Sequence, residues 1–272
     1  MTSHDVVAAI RRLTGMPAGH AGTLDPDATG VLVVAVGDAR KLLPWLRLEP
    51  KRYRGTARVG LATDTGDAAG RPVGHSRAPW PSFADWRRAA AFVGGRRLEV
   101  PPVVSARKVA GRPAYARARR GEGVWLAPRP VDRLALAVER VEGPIWQFAA
   151  TVSTGAYIRA LVRDWAGVLG HAAHLVTLTR TGVGPFDLAG ARPVPQAAGE
   201  LTWVPWHAVW EHPVVEVDAA AARHIRHGRW PPGLRLFCPG PVALARQGRL
   251  LAVAAGNGRF ARVFAGVGEG DD

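Results

Sequence analysis

Two carboxylates separated by one residue, Asp25 and Asp27, lie in the stretch Gly19-His20-Ala21-Gly22-Thr23-Leu24-Asp25-Pro26-Asp27-Ala28-Thr29-Gly30. Carboxylates in such a setting can hold a divalent cation, bond their own backbone in a turn, or act on a substrate as a nucleophile or base. An oxygen cage needs more ligands, and no further carboxylate or histidine follows at ligand spacing. Turn formation is a common fate of Asp-Pro pairs. The Asp-Pro step also biases residue 25 away from the helical region, so its carboxylate projects from an extended or turn backbone.

Glycine, proline and small polar residues make this stretch a loop, and the apolar run Val31 to Val36 behind it predicts a buried strand. Ahead of it, Ser3 to Thr14 predicts a helix with Thr2 and Asp5 as a capping box, Val6, Ile10 and Leu13 along one face, and Gly15 as its stop. That helix is expected to pack under the loop. Alternation from Tyr53 to Val59 predicts a half-buried strand, with Tyr53, Gly55, Ala57 and Val59 on one face and an arginine face, for phosphate contact, on the other. Ser82 and Asp85 start a second helix that Gly94-Gly95 stops after Val93, and it reads as structural. Trp146, Phe148, Ala150 and Val152 alternate as a strand into Gly155; Ile158, Leu161, Val162, Trp165 and Leu169 then mark a helix. Tyr157 and Arg159 therefore fall at a strand-to-helix junction. Pro113 to Arg120 is very basic, to be read as solvated arginines or as a contact to a nucleic-acid backbone.

Of 272 residues, 47% are hydrophobic, enough for a core, and 36 basic against 22 acidic residues leave a net charge of +14. Such a surface expects an acidic partner, nucleic acid first. A membrane surface is disfavoured: the basic residues are spread out and no apolar run reaches about 18 residues. Met1 to Gly15 lacks the apolar core of a signal peptide. The single cysteine, Cys238, fits a reducing cytoplasm and reads as a small core residue. His171 and His174 lack a third ligand at zinc spacing and read as packing residues. Lys41, Lys51 and Lys108 are the only lysines, so each marks a place where a compact ammonium is wanted or is a survivor of an arginine bias. After about residue 192 the sequence turns rich in proline and tryptophan (Trp203, Trp206, Trp210), then into short apolar runs, as in a small β-rich appendage.

The motif Gly19 to Gly30 with Val31-Leu32 resembles the active-site motif of the TruB family of tRNA pseudouridine-55 synthases. The resemblance continues in order through Lys51-Arg52-Tyr53-Arg54 with Thr63-Asp64-Thr65, Pro101-Pro102 with Ser105-Ala106-Arg107-Lys108, Gly155-Ala156-Tyr157-Ile158-Arg159, and Arg180 to Phe186. It covers most of residues 1 to about 190, and more weakly Val214 to Pro232 resembles a PUA-like RNA-binding domain. Ala21 stands where threonine is common and Val104 where a tyrosine often precedes Ser-Ala. Members usually carry a Lys-Pro strand and turn before the first helix; here the start is truncated or that edge strand is absent.

The resemblance implies an α+β pseudouridine synthase fold, with a mixed, mainly antiparallel central sheet flanked by helices. It implies a catalytic domain over residues 1–208 and a PUA-like domain over 213–272. Asp25 would be the nucleophile, Arg159 its ion-pair partner, and Tyr53 the residue that stacks on the flipped uracil and helps proton transfer. His20 would fill the gap left by the extruded base, and Leu178 would wall the pocket. Tyr157 and Lys41 match positions lining the site. No cofactor or metal is implied, the partner is the T-arm of tRNA, and the protein is expected to be a cytoplasmic monomer. The alternative from another class is a non-catalytic RNA binder or tRNA-folding chaperone, which retention of Asp25 and Arg159 argues against; additional RNA targets also stay open.

Overall fold

The computed structural model describes residues 1–102, 108–109, 112–113, 126–256 and 258–264. Val104 to Arg107 and residues 114–125, which hold most of the basic segment ending at Arg120, lie outside the described residues. The chain forms two compact units: Met1–Ser3, Gly22–Val33 and Leu48–Arg192 make one, and His4–Ala21, Val34–Arg47 and Pro193–Asp272 make the other.

In the first unit a seven-stranded sheet runs Phe186–Asp187, Ala173–Val183, Lys51–Val59, Ile145–Val152, Arg129–Glu142, Gly95–Glu99. The seventh strand, Thr29–Gly30, pairs with Ala173–Val183 in parallel, and every other pair is antiparallel. Strand Lys51–Val59 alternates as its sequence predicts: Lys51, Tyr53, Gly55, Ala57 and Val59 are buried, while Arg54 and Arg58 are exposed. Gly55 is required by packing, because a Cβ there would lie 2.7 Å from the Phe148 ring. Arg54 is paired with Glu139 at 3.0 Å on that exposed face.

Two helices, Phe83–Val93 and Ile158–Val168, share a core with this sheet. The first starts with the expected capping box, in which Ser82 accepts from the Asp85 N–H and Asp85 accepts from the Ser82 N–H. Trp86 stacks on Trp146 with centroids 3.9 Å apart, and the Trp165 indole N–H donates to the Trp86 carbonyl at 3.0 Å. Such ring pairs add about 0.5–1.5 kcal/mol beyond the area they bury. Satisfying the indole N–H lets Trp165 be fully buried without an orphaned donor.

The apolar run Val31 to Val36 is not one buried strand. Only Val34–Val36 is extended into a strand, and only Val31 and Ala35 are buried. The reason is that Val31 is bonded to Arg180, while Val34–Val36 pairs with Ala18–His20, so the run is divided between two partners. Gly19 and His20 accordingly belong to a short strand, not to the loop.

The second unit contains that strand pair and, from His4 onward, the helix Ser3–Thr14, whose buried stripe is Val7 and Ile10, packed on Ala18, Val34 and Val36. The stripe is thus displaced by one residue from Val6, and Leu13 is half-buried. Its C-terminal part is a four-stranded sheet, Val214–Glu216, Val242–Arg246, Arg249–Ala255 and Arg259–Val263, whose first pair is parallel. Helix Ala219–Arg226, capped by Asp218, packs Ala222 and Ile225 into the same core as Leu244 and Ala252, with Cys238 against it. Trp206 and Trp210 cluster with Leu42, Ala243, Val253 and Phe264. The chain is α+β, and among the described residues no helix is long and apolar enough to cross a membrane.

Candidate active site

Loop residues 22–33 are held at three places. At the near end the Leu24 N–H donates to the hydroxyl of Ser3 at 2.9 Å. A turn follows, closed by the Ala28 N–H on the Asp25 carbonyl at 3.0 Å. At the far end Gly30 lies so close to the neighbouring strand that a Cβ would be 2.2 Å from the Arg180 carbonyl oxygen, and its φ of +105° is one that side chains rarely adopt. Glycine is therefore fixed there by both space and backbone.

Asp25 sits at the crest with its side chain 36% exposed, and its carboxylate accepts two parallel bonds from Arg159, Nε to Oδ2 and Nη2 to Oδ1, each 2.9 Å. This fork-to-fork geometry fixes the carboxylate plane. Arg159 is 5% exposed and is held from the other side: Nη1 donates to the Thr65 carbonyl at 2.8 Å and lies 3.6 Å from Asp67 Oδ2. Its backbone comes from the first turn of helix Ile158–Val168, where Tyr157 is the N-cap residue and offers no side-chain cap. The buried carboxylate of Glu99 holds this N-cap residue by accepting its own N–H at 2.8 Å. Glu99 is in turn paired with Arg133, which also reaches Asp164 at 2.6 Å. Burial pushes the Glu99 acid up, against the Tyr157 N–H and Arg133, which hold it down.

Tyr53 and Leu178 are both buried, 8% exposed, in the same apolar cluster. Tyr53 lies directly opposite Arg180 in the strand register, and Leu178 opposite Gly55. Burial raises the Tyr53 phenol above the ordinary tyrosine value; Arg180 works in the opposite sense and Asp25 adds a smaller push upward. The Tyr157 ring lies 5.0 Å from the Arg129 guanidinium. Asp25, Arg159, Tyr53, Tyr157 and Leu178 thus all belong to the first unit. His20 and Lys41 belong to the second: His20 ends the strand opposite Val34, and Lys41 is paired with Asp38 at 2.8 Å and lies 6.0 Å from the Phe264 ring.

Sequence reasoning does not assign two further cations to the site. Arg180 is fully buried, and Lys51 is 9% exposed with its Nζ 2.8 Å from where a Gly22 Cβ would be. Burial, then Arg180, push the Lys51 ammonium below the ordinary lysine range, while Glu49 pulls it back. Their signals in the sequence are membership of the Lys51–Arg54 and Arg180–Phe186 motifs and spacing: Lys51 is two residues before Tyr53 and Arg180 two after Leu178, on strands of period two. Among the described residues no cluster of His, Cys, Asp or Glu could hold a metal ion. His171 bonds Ser76 and His174 bonds the Leu61 carbonyl, as packing residues do.

Residues 11–158 match the model of the TruB family pseudouridylate synthase N-terminal domain. The chain is 43% identical over 287 residues to the tRNA pseudouridine synthase B of Thermobifida fusca, covering 97% of this chain and 95% of that one. It is 42% identical over 277 residues to the protein of the same name from Nocardia farcinica, covering 96% and 88%. Among solved structures it resembles a chain of a Cbf5-Nop10-Gar1 complex, with a TM-score of 0.61 and 23% identity over 94% of this chain and 74% of that one. A chain of the archaeal box H/ACA sRNP Nop10-Cbf5 complex gives a TM-score of 0.62 at 20% identity, covering 94% and 75%. By the extent of these matches, the chain belongs to the TruB family of pseudouridylate synthases.

Proposed function

We propose that this chain isomerises uridine to pseudouridine at position 55 in the T-loop of tRNA. The observation that carries the reading is Asp25 itself: an accessible carboxylate at the crest of a pinned loop, held in one plane by a nearly buried arginine. The reaction breaks the bond from C1′ to N1 and forms one from C1′ to C5. A proton leaves C5 and N1 gains one, so the product is an isomer and no oxidant or co-reactant is consumed. Asp25 attacks the ribose or base carbon, and Arg159 keeps it aimed. A uridine in a folded loop must be extruded to be reached, at a cost of a few kcal/mol of stacking. Tyr53 offers the ring on which the extruded base stacks, Leu178 walls the pocket, and His20 fills the vacated place in the RNA; Tyr157 and Lys41 match positions that line the site in the family.

We place the catalytic domain in residues 1–208 and a PUA-like RNA-binding domain in residues 213–272, acting as a cytoplasmic monomer on the T-arm. The four-stranded sheet with its capped helix and the surplus of arginine support this assignment. The test is incubation of the purified protein with an unmodified tRNA transcript, followed by site-by-site mapping of pseudouridine. Modification at position 55 by the native chain and none by Asp25→Asn is the expected result. An RNA bound but left unmodified by the native chain would instead identify a folding chaperone.

A further inference from the structure

One side chain links the parts of this site that the sequence keeps furthest apart. Arg180 is fully buried in strand Ala173–Val183 and touches both arms of the loop. Its Nε donates to the Val31 carbonyl at 2.8 Å, while its own carbonyl accepts the Val31 N–H at 2.9 Å. Its Nη2 donates to the Gly22 carbonyl at 3.2 Å and its Nη1 to the Thr23 carbonyl at 3.4 Å. Asp25 follows two residues after Thr23, so the carboxylate rides on a segment whose two ends are tied to one guanidinium.

The same arginine faces Tyr53 across the sheet, where directly opposed residues have Cβ atoms about 4.5–5.5 Å apart. Burial raises the Tyr53 phenol, and the Arg180 charge and hydrogen bonding counter it.

We propose that Arg180 is a positioning residue that clamps both ends of the Asp25 loop to the strand opposite Tyr53, setting carboxylate and phenol in one frame. The proposal rests on the reading of Asp25 and Tyr53 given above. Arg180 acts through them and touches no reacting atom. Lysine is a poor substitute, because an ammonium is a point charge on a flexible stem and cannot span three carbonyls as a planar fork does.

The test uses Arg180→Lys, which keeps the buried charge, with Arg180→Met beside it. On saturating T-arm RNA the single-turnover rate of Arg180→Lys should fall about 100-fold, as for a small misplacement of a reacting group, while RNA affinity stays close to native. Combining it with Tyr53→Phe should cost less than the product of the two single losses. A readout without RNA is the 13C resonance of the tyrosine Cζ, with Tyr53 assigned by its loss in Tyr53→Phe among the three tyrosines of the chain. The Tyr53 resonance should move in both Arg180 variants, and the Tyr157 resonance should not. If Arg180→Met does not fold, Arg180→Lys decides alone. A native single-turnover rate for Arg180→Lys, or a Tyr53 resonance that stays in place, overturns the proposal. Turnover by Asp25→Asn together with a displaced Tyr53 resonance would sink the reading of the reaction and leave the clamp standing.

Discussion

Arg133 and Arg159 are both nearly buried, both meet two carboxylates, and both serve the segment Tyr157 to Arg159, yet they form opposite kinds of site. Around Arg133 every carboxylate oxygen is engaged: Glu99 is fully buried with its second oxygen on the Tyr157 N–H, and Asp164 accepts from Arg133 on Oδ2 and from Arg163 on Oδ1. Around Arg159 the set is open, because Asp25 accepts from the arginine and still shows about a third of its side chain to solvent. Ion pairing alone thus does not mark the carboxylate proposed to react. What marks it is a lone pair left accessible while the other contacts fix the group, the condition a nucleophile must meet.

The sharpest way to break this contrast is to neutralise the two arrangements in turn. Asp25→Asn should reduce single-turnover isomerisation by at least about a thousandfold, with the melting temperature close to native, as for loss of a nucleophile. Arg133→Met should do the reverse. Removing one partner of a buried pair costs about 3–5 kcal/mol, so thermal unfolding should show a drop on the order of 10 °C, with near-native turnover by the protein that remains folded. A large loss of turnover in Arg133→Met at a temperature where it is folded would erase the distinction.

A smaller effect should appear in the pH dependence of stability. The Glu99 acid is raised in the folded chain, chiefly by burial, above its ordinary value near 4.5. The folded state then takes up a proton before the unfolded state does, so this group adds stability as the pH falls through its folded pKa toward 4.5, and withholds it above. Glu99→Gln keeps an acceptor for the Tyr157 N–H and cannot titrate. Denaturant unfolding from pH 8 to 5 should therefore show a shallower gain on acidification in the variant, and an unchanged slope would mean that another group titrates there. The least effect is expected from Asp67→Asn. Asp67 Oδ2 is 3.6 Å from Arg159, beyond hydrogen-bond length, and its Oδ1 bonds Thr65 and Ala69, which the amide oxygen can retain. Turnover should stay within about threefold of native, the 3.6 Å contact being the weaker of the two that Arg159 makes to carboxylates.

Features carried by local chemistry are legible in the amino-acid sequence. The period-two burial of Lys51–Val59, the Ser82 and Asp85 capping box and the turn at Gly155 each follow from residues close along the chain. Placing Tyr157 and Arg159 at a helix start needs no more than that. The run Val31 to Val36 misleads because an apolar run states that burial is needed and not which partner supplies it. The Val7 and Ile10 stripe departs by one residue from the expected face, since a single short helix allows two adjacent faces and packing on Ala18 and Val34 decides between them. Arg180 stands out in the sequence only as part of a motif. Nothing local distinguishes a surface arginine from one that will bond carbonyls 149 and 157 residues away.

Those separations bear on how the site is made. Asp25 is synthesised early, but its partner Arg159 follows 134 residues later and Arg180 later still. Contacts that close such long stretches of chain form late and slowly. On the ribosome, Asp25 must wait exposed through most of the making of its own unit, and the nascent chain can have no assembled site until strand Ala173–Val183 has emerged and paired with Thr29–Gly30.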